Sequence, residues 1–159
     1  EKIRKQFFDD QSGWFYDTDL DGKKFIKTMG CEGWIPLWAG VATAEQALRV
    51  KKQMMDPKKF NRLIPLQTLS ASEPKFKPNR GYWRGPVWLD QSYFGIIGLR
   101  RYGFEYDAKK LTRKILQNCD GLLEKGPSIR ENYHPLTGKG MEAHNFSWSA
   151  AHLLLLLIK

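Results

Sequence analysis

One stretch decides how the whole sequence is interpreted, and it is Ile129-Arg130-Glu131-Asn132-Tyr133-His134-Pro135-Leu136-Thr137-Gly138. Asn132, Pro135 and Gly138 are typical of turns, so the pattern predicts a loop here rather than a helix. This predicted loop carries Glu131 between polar and aromatic neighbours. A single Glu in a loop is most often a solvated surface residue. The meaning of Glu131 therefore depends on the other segments of the chain.

Two further segments combine tryptophan with charged, amide and small side chains next to a predicted helix. The first runs over residues 82–91 and the second over residues 145–151. Aromatic rings can stack on the C–H faces of a sugar, and amides, carboxylates and guanidinium groups can bond its hydroxyls. Together with the stretch around Glu131, these segments indicate a sugar-binding pocket.

The three segments, in this order and near these spacings, resemble glycoside hydrolase family 63. That family contains processing α-glucosidase I, mannosylglycerate hydrolase and broad bacterial α-glucosidases. The resemblance also extends through Gly30-Cys31-Glu32-Gly33-Trp34-Ile35-Pro36-Leu37-Trp38 and Asp56-Pro57-Lys58-Lys59-Phe60, so it covers nearly the whole chain. It looks closest to the bacterial α-glucosidase branch, which the context of Asp90 and Gln91 favours over mannosylglycerate hydrolase.

The resemblance implies a function: inverting hydrolysis of α-glucosidic bonds in oligosaccharides. It makes Glu131 the general base, and it implies no cofactor. The general acid of the family is an Asp upstream of this region, and its surroundings have no match here. We therefore expect residues 1–159 to be a single region, the C-terminal portion of a catalytic domain. This region would need the remainder of the domain, or a partner chain, and would have little activity alone.

The remaining candidate residues for the sugar site come from the same segments. They are Glu32, Trp34, Trp83, Arg84, Trp88, Asp90, Gln91, Tyr133, Phe146 and Trp148. We expect the tryptophans to stack on the sugar or shape the pocket, and the polar groups to bond hydroxyls. Ordinary alternatives exist: core packing for Trp88, an ion pair for Arg84, and a favourable helix dipole for Asp90.

From its own periodicity the chain is predicted to be mainly α-helical, with a short β-hairpin near the N-terminus. In the hairpin, residues 13–17 would pair with residues 23–27 around the turn Asp21-Gly22. Helices are predicted near residues 3–8, 44–55, 87–102, 107–123 and 145–157. The family resemblance implies that these helices form about half of an (α/α)6 toroid.

A calcium site is an alternative interpretation of the predicted hairpin turn. Asp17, Asp19 and Asp21, followed by Gly22, are similar to the start of a calcium-binding loop. Thr28 stands where such a loop needs a bidentate Glu, and apolar flanking helices are absent. The hairpin is therefore the preferred interpretation.

The remaining features limit the other classes of function. There are 26 basic and 17 acidic residues, a net charge of +9, but the basic residues are scattered, so we expect no nucleic-acid partner. The longest apolar run, residues 153–158, is too short to span a membrane, and the compartment stays unknown.

Two alternatives remain: a trehalase or mannosylglycerate hydrolase of the same fold, or a non-catalytic helical carbohydrate-binding or structural domain. The Gln-Trp-Asp and Gly-rich signatures of trehalases are absent, and binding modules are usually β-rich.

Overall fold

Local sequence signals set several helix boundaries in the computed structural model, which describes residues 1–123 and 128–158. Thr43 and Gln46 form a reciprocal capping box, which satisfies two backbone N–H groups at the start of the third helix. Six α-helices occur in the described residues: α1 (Lys2–Gln6), α2 (Ile35–Trp38), α3 (Ala44–Met54), α4 (Leu89–Arg101), α5 (Glu105–Asn118) and α6 (Ser147–Ile158). A short 3-10 helix, Cys31–Trp34, leads directly into α2.

Short strands form three two-stranded antiparallel sheets in the described residues. The pairs are β1 (Phe8–Asp9) with β2 (Trp14–Phe15), β3 (Asp17–Thr18) with β4 (Phe25–Ile26), and β5 (Arg130–Tyr133) with β6 (Gly140–His144). The third pair is the longest, and it carries Glu131.

An aromatic cluster lies at the centre of the core. The rings of Trp14 and Phe60 are stacked with centroids 5.1 Å apart, and Trp34 packs edge-on against both. Helix α4 packs against α2, α5 and α6. Its contact with α2 requires a glycine, because a Cβ on Gly98 would lie 2.9 Å from the Cβ of Leu37. This close packing against α2 positions α4, the helix that begins directly after Trp88.

The last helix packs on one side only within the described chain. Leu153 and Leu156 are buried, whereas Leu154, Leu157 and Ile158 are more than half exposed. Helix α6 is apolar on all sides, which predicts that other elements surround it. Within the described chain, α4 packs on its buried side. No helix in the described ranges is both long enough and apolar enough to cross a bilayer.

The structure corrects the expected fold class: the chain is mixed α and β rather than mainly α with one hairpin. The predicted N-terminal hairpin exists as β3 and β4, but Trp14 and Phe15 pair with Phe8 and Asp9 instead. The predicted loop around Glu131 begins as a strand. Because β5 consists mainly of polar residues, it lacks the alternating apolar pattern by which strands are usually recognised.

The helix predicted near residues 107–123, with Asp107 as its cap, has other bounds in the structure: α5 begins at Glu105 and ends at Asn118. Asp107 instead lies in the first turn and forms an ion pair of 3.2 Å with Lys51. An acidic residue is favoured both as a helix cap and in the first turn, so the sequence signal did not separate the two positions.

Candidate active site

Glu131 lies in β5 opposite a β-bulge in the partner strand. The strand register shifts by one residue between Arg130 and Asn132, and Glu142 on β6 has a positive φ of 58°. The backbone N–H of Ala143, at this bulge, donates a hydrogen bond of 3.3 Å to Oε2 of Glu131. Bulges commonly re-aim side chains beside active sites. The hairpin thus holds the Glu131 carboxylate by a backbone donor.

The strand of Glu131 is tied to both tryptophan-bearing segments. On one side, Val87 and Tyr133 exchange two backbone hydrogen bonds of 2.8 and 2.9 Å, which brings Trp88 beside the strand. On the other, the hydroxyl of Ser149 in α6 donates to the backbone carbonyl of Glu131 at 3.1 Å. The three segments that the sequence singled out therefore meet at one place.

An aromatic cluster, distinct from the core cluster, forms where these segments meet; we call it the site cluster. It consists of Tyr82, Trp83, Trp88, Phe146 and Trp148. Trp83 stacks on Trp88 with centroids 4.5 Å apart and planes 9° from parallel. Trp88 is buried, whereas Trp83 is 38% and Trp148 54% exposed. The cluster therefore presents the exposed indoles of Trp83 and Trp148, which both pack against the buried indole of Trp88.

The loop that carries Trp83 is held in a tight conformation. Tyr82 has a φ of 57°, and its carbonyl accepts a hydrogen bond of 3.2 Å from the indole N–H of Trp88. The backbone N–H of Arg84 donates to the carbonyl of Gly81 at 3.0 Å. The side chain of Arg84 is exposed and forms no ion pair within the described residues. Its charge is therefore available for a ligand.

Asp90 and Gln91 lie in the first turn of α4, directly after Trp88. The amide of Gln91 donates to the carboxylate of Asp90 at 3.0 Å. The backbone carbonyl of Gln91 accepts a hydrogen bond of 3.1 Å from the indole of Trp34. Both residues are half-buried. Burial raises the pKa of the Cys31 thiol, and Asp90 lies close enough to Cys31 for its charge to add to that shift.

Glu32 lies elsewhere, on the wall of an apolar cavity of about 330 Å³ that also involves residues of α1 and α2. Its carboxylate accepts a hydrogen bond of 3.1 Å from the N–H of Gly30. Burial raises the pKa of Glu32 to about 7, and the charges of Asp17 and Glu73 add to the shift. Glu32 thus differs from an ordinary surface carboxylate, but it is not part of the site cluster.

The positions of Trp34 and Tyr133 do not match the expectation that they contact the sugar. Both are fully buried in this chain. The Tyr133 hydroxyl accepts a hydrogen bond of 3.1 Å from the N–H of Arg130, and burial raises its pKa to about 12. Large aromatic residues serve cores and pockets equally well, so the sequence alone could not separate the two roles.

Of the acidic residues considered for a calcium loop, Asp19 stabilises the turn between β3 and β4 and Asp17 lies in the adjoining strand β3. The carboxylate of Asp19 accepts hydrogen bonds from the N–H groups of Lys23 and Lys24, at 2.8 and 3.2 Å. Within residues 1–123 and 128–158 no three His, Cys, Asp or Glu side chains cluster as metal ligands would.

Sequence reasoning missed the residues that hold Glu131 in position. The hydroxyl of Ser149 lies within a segment already singled out for its tryptophan, but a lone Ser carries no specific signal. The N–H of Ala143 and the bridge between Val87 and Tyr133 are backbone contacts, which side-chain patterns do not report.

Comparisons with known proteins identify the family of this chain. A family model for the mannosylglycerate hydrolase MGH1-like glycoside hydrolase domain matches residues 1–149. The mannosylglycerate hydrolase of Thermus thermophilus is 34% identical over 145 residues, which cover 91% of this chain and 33% of that protein. The mannosyl-oligosaccharide glucosidase of Saccharomyces cerevisiae is 30% identical over 116 residues, or 64% of this chain and 14% of that protein.

A solved structure shows the same arrangement of elements. The glycoside hydrolase family 63 mannosylglycerate hydrolase from Thermus thermophilus, in complex with glucose, superposes with a TM-score of 0.80 at 29% identity. The match covers 98% of this chain and 37% of that one. The chain spans about a third of the length of such relatives. On the matched family model and these relatives, the chain belongs to the MGH1-like glycoside hydrolases of family 63.

Proposed function

We propose that this chain supplies the general base and part of the sugar pocket of an inverting glycoside hydrolase. Glu131 is the proposed base, and the site cluster is the proposed sugar platform. The observation that carries the proposal is the pair of links between the Glu131 strand and the segments of Trp88 and Trp148. They join the strand that carries this carboxylate to the two segments that carry the indoles.

Inversion requires two carboxyl groups on opposite faces of the sugar, roughly 6.5–9.5 Å apart, with water between the base and the anomeric carbon. Glu131 would take a proton from that water as it attacks. The general acid would come from the part of the protein upstream of this chain, within an (α/α)6 toroid to which these helices contribute. The N–H of Ala143 would hold one oxygen of the Glu131 carboxylate by a hydrogen bond. The other oxygen would then be free to accept the proton of the attacking water.

The site cluster has the properties that the binding of a sugar ring requires. An indole face stacks on the C–H groups of a pyranose, while neighbouring polar groups bond its hydroxyls. Arg84, Asp90 and Gln91 are the polar side chains nearest in sequence to the Trp83–Trp88 stack. We infer that Trp83 and Trp148 contact the sugar and that Trp88 supports them from behind.

The proposed substrates are α-linked gluco-oligosaccharides. A second candidate is a glycerate-linked α-glycoside, because mannosylglycerate hydrolases cover most of this chain at 34% identity, whereas the processing glucosidase covers less of it. Side-by-side turnover of maltose, trehalose and mannosylglycerate by the intact protein would rank these substrates.

Proton NMR of the product during the first minutes of turnover tests the mechanism. With an α-glucoside whose aglycone is not a sugar, such as 4-nitrophenyl α-glucoside, inversion releases β-glucose first, and the α anomer appears only through later mutarotation. Initial release of the α anomer would contradict the proposed role of Glu131. Failure to hydrolyse any of these glycosides would contradict the hydrolase function as a whole.

A further inference from the structure

A second cavity, separate from the site cluster, gathers basic side chains. It has a volume of about 430 Å³ and lies between the loop before Tyr82 and the β5–β6 hairpin. Its polar lining residues are Asn79, Arg80, Arg130, His134, Lys139 and Glu142. It shares no lining residue with the site cluster, and Glu131 does not line it. Successive side chains of a strand point to opposite sides, which explains how Arg130 can line this cavity while Glu131 does not.

The basic groups of this cavity are not neutralised by neighbouring acids. Within the described residues, neither Arg80, Arg130 nor Lys139 lies within ion-pair distance of a carboxylate. Arg130 donates one hydrogen bond of 2.6 Å to the backbone carbonyl of Glu142, and its buried Nε has no partner among those residues. Three cations and the carboxylate of Glu142 line the cavity, and the carboxylate of Asp120 accepts a hydrogen bond of 3.4 Å from the N–H of Gly140, a further lining residue. Cations therefore outnumber carboxylates by three to two around it.

His134 adds a neutral hydrogen-bond donor. Its Nδ1 accepts a hydrogen bond of 3.2 Å from the N–H of Leu136, so the neutral ring carries its proton on Nε2. Burial lowers the pKa of His134, which favours this neutral form at pH 7. The cavity therefore combines guanidinium, ammonium and imidazole donors, which are the groups that bind phosphate oxygens.

We propose that this cavity binds a phosphate dianion, either free phosphate or the phosphoryl group of a small ester. The excess of positive charge suits that ligand, and the volume leaves room for an attached group. Because Arg80 belongs to the loop and Arg130 and Lys139 to the hairpin, a bound phosphate bridges the two elements. The loop continues to Trp83 and the hairpin carries Glu131, so the site shares both elements with the proposed sugar pocket without being part of it.

Calorimetric titration of the intact protein with inorganic phosphate tests this site directly. We expect saturable binding that matched sodium chloride does not reproduce. The double variant Arg80→Gln/Lys139→Gln should lower the affinity at least about ten-fold, because it removes two charge-assisted hydrogen bonds. Lys75→Gln, an exposed lysine of the same loop outside the cavity, should leave it unchanged. Glu142→Gln should tighten binding several-fold, because it removes the carboxylate.

A parallel titration with a hexose phosphate distinguishes the two sources. Tighter binding of the ester would identify a phosphorylated metabolite as the ligand, and tighter binding of inorganic phosphate would identify the free ion. Wild-type affinity in the double variant, confirmed as folded by its melting temperature, would overturn the proposal. So would the absence of saturable binding below about 10 mM phosphate. Neither result depends on hydrolase activity, so failure here would leave the proposed function untouched.

Discussion

The hydroxyl of Ser149 donates a hydrogen bond of 3.1 Å to the backbone carbonyl of Glu131. Ser149 is buried in the first turn of α6, next to Trp148. One contact thus joins the helix that presents an exposed indole to the strand that presents the carboxylate. The separation between the proposed base and the sugar platform depends on this contact.

Removal of the Ser149 hydroxyl should therefore disturb the position of Glu131 but leave its carboxylate able to accept a proton. We expect Ser149→Ala to lower the free energy of unfolding by about 1 kcal/mol, because the carbonyl loses its hydrogen-bond partner. Turnover should fall several-fold, well short of the loss from removing a base. Urea unfolding and steady-state kinetics of the intact protein measure both effects. Ser149→Thr, which keeps the hydroxyl, should recover most of the turnover; equal losses in Thr and Ala variants would contradict the positioning role.

Trp83 tests the sugar platform. We expect Trp83→Ala in the intact protein to weaken substrate binding and turnover by on the order of 1 kcal/mol or more, because a stacking face is lost. The variant should remain folded with a lower melting temperature, because Trp83 also stacks on Trp88 and is only 38% exposed. Tyr106→Ala is a suitable control, because Tyr106 is an exposed aromatic residue outside the site cluster. Unchanged kinetics in a folded Trp83 variant would show that this indole only packs against Trp88.

The sequence predicted the convergence at Glu131 better than it predicted the local backbone. The resemblance to family 63 drew attention to the segments of Trp83, Glu131 and Trp148, and the structure joins all three. It did not reveal that Glu131 lies in a strand, because polar strands lack an apolar alternation. Nor could it predict burial of Trp34, since that depends on edge-on packing against Trp14 and Phe60 from other parts of the chain.

The raised pKa of Glu32, about 7, predicts a pH-dependent stability. Folding disfavours the ionised form, so the stability associated with this group is complete below its ordinary pKa of 4.5 and is lost as the pH rises through 7. We expect Glu32→Gln to have little effect at pH 4 and to stabilise the intact protein at pH 8, by up to about 3 kcal/mol.

Unfolding titrations at several pH values between 4 and 8 would measure this difference. The exposed Glu45 provides the matched control, because Glu45→Gln makes the same chemical change on the surface of α3. A stability difference between the Glu32→Gln variant and the wild type that does not change with pH would refute the account of this carboxyl.

The isolated chain should have little or no hydrolase activity. Inverting hydrolysis needs an acid as well as a base, and the family resemblance assigns the acid to a segment without a match in this sequence. Assays of the isolated 159-residue chain and of the intact protein on the same α-linked glucosyl disaccharides would make the comparison. Comparable turnover by both would show that this chain holds a complete site.

The most direct test of the central claim is the turnover of a Glu131→Gln variant of the intact protein. Gln keeps the size of the side chain and can still accept the hydrogen bond from Ala143, but it cannot take a proton from water. We expect kcat to fall by roughly 10²-fold or more, with substrate affinity and melting temperature largely kept and with Glu45→Gln unaffected. Near-normal kcat in the folded Glu131→Gln variant would mean that Glu131 is not the general base.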